Sequence, residues 1–97
     1  MPLFASQIKG TPAQIREIYR EVYAGLVVRY VESPDEGGFL SAAALSGNDG
    51  MEISVSGNDA RILLTARYDN LGKGASGAAI QNLNLLLGAD ETAGLVL

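Results

Sequence analysis

The chain reads as a small α+β domain, with a mixed or antiparallel sheet and two helices in the order β-α-β-β-β-α. Three observations predict it. An amphipathic stretch with helix-start and helix-stop signals covers residues 11–25. Two apolar runs of strand character, 51–55 and 61–68, are joined by a tight polar turn. A run of small residues after Gly72 passes into a leucine-rich segment that stops at Gly88. Helices and strands do not alternate strictly, which favours α+β over a doubly wound parallel sheet.

Residues Leu3–Ile8 predict a short first strand. The opening Met1-Pro2-Leu3-Phe4-Ala5 enters an apolar run with no polar lead-in. Such a start fits either a chain cut inside a strand or a natural edge strand, where Pro is tolerated. Thr11 is a good N-cap, Pro12 suits the first helical position, and Gln14 completes a capping box. Ile15, Ile18, Tyr19, Val22 and Tyr23 repeat at helical spacing, with Arg16, Glu17, Arg20 and Glu21 opposite, so this helix is half-buried. Gly25 is its expected stop.

Leu26–Val31 predicts a strand, and Ser33–Gly38 a loop. Leu40–Leu45 is Ala-rich and ambiguous, at most one helical turn, and Ser46–Gly50 is a turn. Met51, Ile53 and Val55 alternate with Glu52, Ser54 and Ser56, as in a strand with one wet face. Arg61–Tyr68 follows across Gly57-Asn58-Asp59, and the two strands form an antiparallel hairpin. Ser46-Gly47-Asn48-Asp49-Gly50 and Ser56-Gly57-Asn58-Asp59-Ala60 look alike and read as two turns of similar chemistry. The last helix begins near Lys73 or Gly74 and carries Ile80, Leu83, Leu86 and Leu87 on one stripe. Asp90-Glu91-Thr92 turns the chain into an apolar tail, Leu95-Val96-Leu97, that needs a groove.

Composition limits the function. The 97 residues suit one domain. The net charge is −4, with no basic stripe, which disfavours nucleic acid. No segment has the pattern of a membrane span, a basic amphipathic helix or a signal peptide, so a cytoplasmic setting is expected. With no Cys and no His, the chain holds no disulfide, no common zinc site and no ordinary nucleophile–base pair.

Three groups are candidates for binding. Gly72-Lys73-Gly74 at a helix start offers backbone N–H groups and a cation to an anion or cofactor. It is not a Walker A loop, because Lys73 is followed by Gly74. Gly72, Gly74 and Gly77 match the letters of a dinucleotide fingerprint, but no second βαβ unit follows. By local pattern alone, close packing of small residues is the better account. Asp69 and Asn70 can orient a ligand or simply form a turn. Glu32, Asp35 and Glu36 lie in a loop and read best as solvated.

The run Asp69-Asn70-Leu71-Gly72-Lys73-Gly74-Ala75-Ser76-Gly77-Ala78-Ala79-Ile80-Gln81-Asn82-Leu83-Asn84 closely resembles the C-terminal signature of the N-acetyl-γ-glutamyl-phosphate reductase family, D-N-L-x-K-G-A-x-G-x-A-x-Q-N-x-N. Every fixed letter is present. Glu91–Leu95 is similar to the family's closing segment, and Leu45–Asp59 to its shorter subtype; before Leu45 the resemblance is loose. The resemblance implies a GAPDH-like C-terminal catalytic and dimerisation domain, normally preceded by a Rossmann domain. It implies NADP-dependent reduction of an acyl phosphate to the semialdehyde, in arginine biosynthesis, through a cysteine thioester with a basic His. Both residues and the Rossmann half are missing here, so the resemblance implies a C-terminal portion, inactive alone. It also places Asn70, Gly72, Lys73 and Gly74 near the nicotinamide end of NADP. A related lysine-pathway reductase, acting on a carrier-bound substrate, fits equally well. The contrasting expectation is a stand-alone oligomerisation module without cofactor. Either way, the apolar ends Leu3, Phe4, Leu95, Val96 and Leu97 predict self-association.

Overall fold

The computed structural model describes all residues, 1–97. The strands are β1 (Pro2–Phe4), β2 (Val28–Tyr30), β3 (Met51–Gly57) and β4 (Arg61–Tyr68). The helices are α1 (Pro12–Val22) and α2 (Gly77–Leu87), and a wide π-turn over Gly72–Ser76 leads into α2. The order is the expected α+β one. The sheet runs β1-β4-β3-β2 and is mixed. β1 and β3 lie antiparallel to β4, whereas β2 lies parallel to β3.

α1 starts as its residues dictate. The Thr11 hydroxyl accepts from Gln14 N–H, and the Gln14 side chain accepts from Thr11 N–H. It ends at Val22, short of Gly25. The reason is a competing acceptor role: the Tyr23 carbonyl takes the Tyr30 N–H at 2.7 Å, which folds the chain back along β2. β2 is consequently shorter than Leu26–Val31. β1 is also shorter than Leu3–Ile8, because Gln7 Oε1 accepts the Phe4 N–H at 2.8 Å and turns Ala5–Gln7 into a 3₁₀ turn.

These same bonds close the sheet's edges. On β1, Pro2 has no N–H to offer and that of Phe4 is taken. On β2, Tyr30 N–H is taken and Arg29 bridges Ala24.

The β3–β4 hairpin has the bounds the sequence predicts for β4. The turn before β3 and the turn after it use the same device. Asn48 Oδ1 accepts from Gly50 N–H, and Asn58 Oδ1 from the N–H groups of Ala60 and Arg61. The core is small: Val27, Leu45, Val55 and Ile62, the last 2% exposed. The wet face expected of β3 is only partly wet. Ser54 is buried and Glu52 is largely covered. The stretch 40–45 forms no helix: residues 42–47 make hydrogen-bonded turns, with Leu45 turned inward.

α2 departs most from expectation. Its regular part starts at Gly77, because Gly74 N–H bonds the Asp69 carbonyl and Ser76 N–H the Leu71 carbonyl, each five residues back. It ends as expected, at Gly88 with φ 66°, where the left-handed backbone suits glycine. Its stripe, however, is not buried: Ile80, Leu83, Leu86 and Leu87 are all exposed. The molecule is correspondingly extended. Its radius of gyration is 15.0 Å, against about 12.5 Å for a compact chain of this length.

Candidate functional site

β4 ends at Tyr68 and delivers Asp69 and Asn70 into the turn. Asp69 organises that turn from within. Its Oδ1 accepts from Leu71 N–H at 2.7 Å and Gly72 N–H at 3.0 Å, and its Oδ2 from Gly47 N–H at 2.7 Å. The bonds from Gly47, Gly72 and Leu71 hold its carboxyl below the ordinary range. The backbone donors that seemed open to an external anion are thus already filled by a carboxylate of the chain.

The glycines explain themselves by contact. A Cβ on Gly72 would run into the Asn48 carbonyl, and one on Gly77 would fall within 2.9 Å of the Asp49 carboxyl carbon. Both let the start of α2 sit against the Asn48–Asp49 turn. Close packing was the local reading, although the partner is a loop and not a sheet. Asp49 also receives the tail: its N–H donates to the Val96 carbonyl, and Val96 N–H donates to Asp49 Oδ2. Leu97 then lies beside Leu26, Leu45 and Met51, but Val96 and Leu97 both stay exposed, so the tail finds no groove that covers it.

Asn70 is exposed and lines an open groove of about 530 Å³ with Ala42, Ala43, Ser46, Tyr68, Asp69 and Leu71. Gly74 borders Asn70, whose Oδ1 would be 3.5 Å from a Cβ placed there. Lys73 points elsewhere. Its Nζ donates to Gln81 Oε1, and Gln81 Nε2 donates to Glu91 Oε1 at 2.6 Å. Buried Asn84 donates to the carbonyls of Glu91 and Ala93. Of the four residues predicted around a cofactor, Asn70 and Gly74 adjoin one another, Gly72 is enclosed, and Lys73 is tied along α2. A groove of similar size, about 560 Å³, lies at the other end of the sheet between β1 and the β3–β4 turn. It holds none of the signature residues.

The acidic loop residues do not converge. Glu32 accepts from Arg20 at 2.7 Å and Tyr30 at 2.9 Å, which holds it low, whereas Asp35 caps Gly38. No group of acidic side chains could hold a metal ion.

Sequence reasoning missed the cluster Arg29–Glu52–Arg67. These residues lie opposite one another across β2, β3 and β4. Glu52 bonds Arg67 at 2.7 Å and Arg29 at 3.1 Å. Burial pushes Glu52 up, but the two guanidinium bonds outweigh it and hold the carboxyl below its ordinary range. Arg67 also donates to the Ser41 carbonyl at 3.1 Å and the Pro34 carbonyl at 3.3 Å. Its Nε is buried without a partner, a defect of about 1–3 kcal/mol. The available signal was cross-strand register, with opposite charges at facing positions. That register requires the β2–β3 pairing, which local pattern does not supply.

No protein-family model matches the chain. Curated relatives do match. Proteins named N-acetyl-gamma-glutamyl-phosphate reductase from Brucella ovis, Brucella canis and Brucella abortus are each 43% identical over 91% of the chain. The chain is a homologue of these reductases. It spans about a third, 31%, of the length of the relatives it matches. No helix is long and apolar enough to cross a membrane.

Proposed function

We propose that this chain is the C-terminal part of an NADP-dependent, cytoplasmic reductase and forms one wall of its nicotinamide site. The reaction is the conversion of N-acetyl-glutamyl 5-phosphate to its semialdehyde in arginine biosynthesis, within a GAPDH-like catalytic domain. One observation carries the reading. The complete signature, in a chain 43% identical to named reductases, builds a turn whose exposed amide, Asn70, faces a groove.

The residues present fit one part of the cofactor better than another. Asn70 offers a donor and an acceptor, the complement of a carboxamide, and Gly74 leaves room for approach. A phosphate fits less well, because Asp69 already occupies the N–H groups of Leu71 and Gly72. When bound, NADPH supplies the hydride. Asn70 would orient the carboxamide and Gly72 would keep the turn tight on Asn48, while Lys73 is tied along α2 to Gln81. The nucleophile and the proton donor lie outside this chain, which has no Cys and no His. The isolated chain therefore does not turn over.

An NADPH-oxidation assay on the isolated chain tests that last statement, and measurable turnover would overturn it. In the whole reductase, Asn70→Ala should raise the KM for NADPH about tenfold, by loss of an oriented polar contact. Unchanged kinetics would remove Asn70 from the site.

A second reading, a self-associating module without cofactor, is favoured by the molecule's surface. The accessible area is 6409 Å², whereas a folded monomer of this mass has about 5,300 Å². The excess resembles one partner's share of a stable interface. Genuine self-association that leaves NADPH unbound in the whole polypeptide would select this reading.

A further inference from the structure

We propose that Arg67 is a positioning residue that builds the second wall of the Asn70 groove. That wall is Ala42, Ala43 and Ser46. It belongs to the long connection between β2 and β3, which has no strand or helix of its own. Something must fix it, and the end of β4 does so from both sides. Arg67 binds the carbonyls of Ser41 and Pro34 on one side, and Asp69 binds Gly47 N–H on the other. Tyr68, between these two residues, lines the groove they define.

The chemistry selects arginine for this task. A guanidinium presents several donors in a rigid plane, and here they reach three separate points: the Pro34 and Ser41 carbonyls of the connection and the Glu52 carboxylate of β3. An ammonium is a single point and cannot span them. Glu52 supplies the counter-charge and is itself braced by Arg29. The Arg67 and Glu52 side chains are only 13% and 12% exposed. A buried ion pair with an unpartnered Nε is a poor device for stability, since apolar replacements often serve as well or better. It is a good device for holding two loop carbonyls at fixed points. The consequence for cofactor binding rests on the nicotinamide-site reading above; the consequence for the wall does not.

The test uses Arg67→Lys, which keeps the charge and the Glu52 partner. Hydrogen exchange on the 97-residue chain should show amides of residues 42–47 losing about tenfold in protection while those of β3 and β4 stay unchanged. Should the hairpin itself open, the double variant Glu52→Leu/Arg67→Met replaces the ion pair with apolar contacts and removes the bracket alone. Undiminished protection at 42–47 in a variant whose hairpin remains closed overturns the proposal. In a whole reductase carrying this segment, Arg67→Lys should raise the KM for NADPH about tenfold and leave kcat within a factor of two. Unchanged KM, or kcat falling in step, overturns the positioning role. If Arg67→Lys frees the wall but Asn70→Ala leaves NADPH kinetics untouched, the bracket stands and the cofactor reading falls.

Discussion

In the β3–β4 hairpin, Val55 and Ile62 are buried and Glu52 is paired with Arg67 across the strands. In α2 the arrangement is inverted. Its buried residues are Gly77 and Asn84, while Ile80, Leu83, Leu85, Leu86 and Leu87 are exposed. The hairpin is held by apolar burial and a ladder of bonds. α2 is held by polar ties, from Asn84 to the carbonyls of Glu91 and Ala93 and from Gln81 to Glu91, and by glycine contacts at its first turn. A helix attached this way keeps its apolar side available, which is how surfaces destined for a partner or another domain look.

The sharpest way to break the contrast is to truncate one apolar side chain in each region. Ile62→Ala should cost about 2–5 kcal/mol, the usual range for emptying a buried site. Leu86→Ala, at a side chain 85% exposed, should change stability by less than about 0.5 kcal/mol. Denaturant midpoints compare them directly. Equal losses would mean that α2 is buried in solution.

The next effect has a reversed sign. Gly→Ala in a helix ordinarily stabilises by about 1 kcal/mol. At Gly77 the added methyl meets the Asp49 carboxyl, so Gly77→Ala should destabilise by about 1–3 kcal/mol, as overpacking does. A gain in thermal stability would show that the α2–Asp49 contact is loose.

A third effect is confined to acid. The Asp69 carboxyl is held below its ordinary value of 3.8 by bonds to Gly47, Gly72 and Leu71. Its contribution is complete above that value and is lost as pH falls through the lower folded value. Asp69→Asn should therefore weaken the protein at neutral pH and flatten its acid unfolding limb below the ordinary carboxylate value of 3.8. An acid limb of unchanged slope would count against the capping role of Asp69.

The smallest effect on stability should have the largest effect on association. Leu83→Glu puts a charge on the exposed stripe, leaving folding unchanged to within about 0.5 kcal/mol while abolishing self-association in light scattering. Wild-type chain that stays monomeric at high concentration would remove the premise.

The same contrast separates what was legible in the sequence from what was not. Thr11, Pro12 and Gln14 announced α1 because caps are local chemistry. The alternation in Arg61–Tyr68 announced β4, and Gly88 ended α2 for want of any other residue that suits its backbone. Short-range bonds trimmed β1 and delayed α2, but the larger failures were non-local. β2 pairs parallel to β3, and no periodicity encodes a neighbour's direction. Gly25 lost the helix end to Tyr23 because Tyr30 competes for its carbonyl. The stripe on α2 was legible but its burial was not, since an apolar stripe looks the same whatever covers it. At the candidate site, the resemblance singled out Asn70, Gly72, Lys73 and Gly74, of which Asn70 and Gly74 adjoin. It could not foretell that Asp69 fills the donors of the turn, nor that Arg67 reaches from the end of β4 to the opposite wall.

The closed edges of the sheet carry a consequence for a molecule with so much exposed leucine. Fibrils grow by adding strands in register, each offering free N–H and carbonyl groups to the next. Here the proline at position 2, the glutamine at position 7 and the carbonyl of Tyr23 withhold N–H groups at both edges. The exposed leucines of α2 then favour face contact between whole molecules over growth by strand addition.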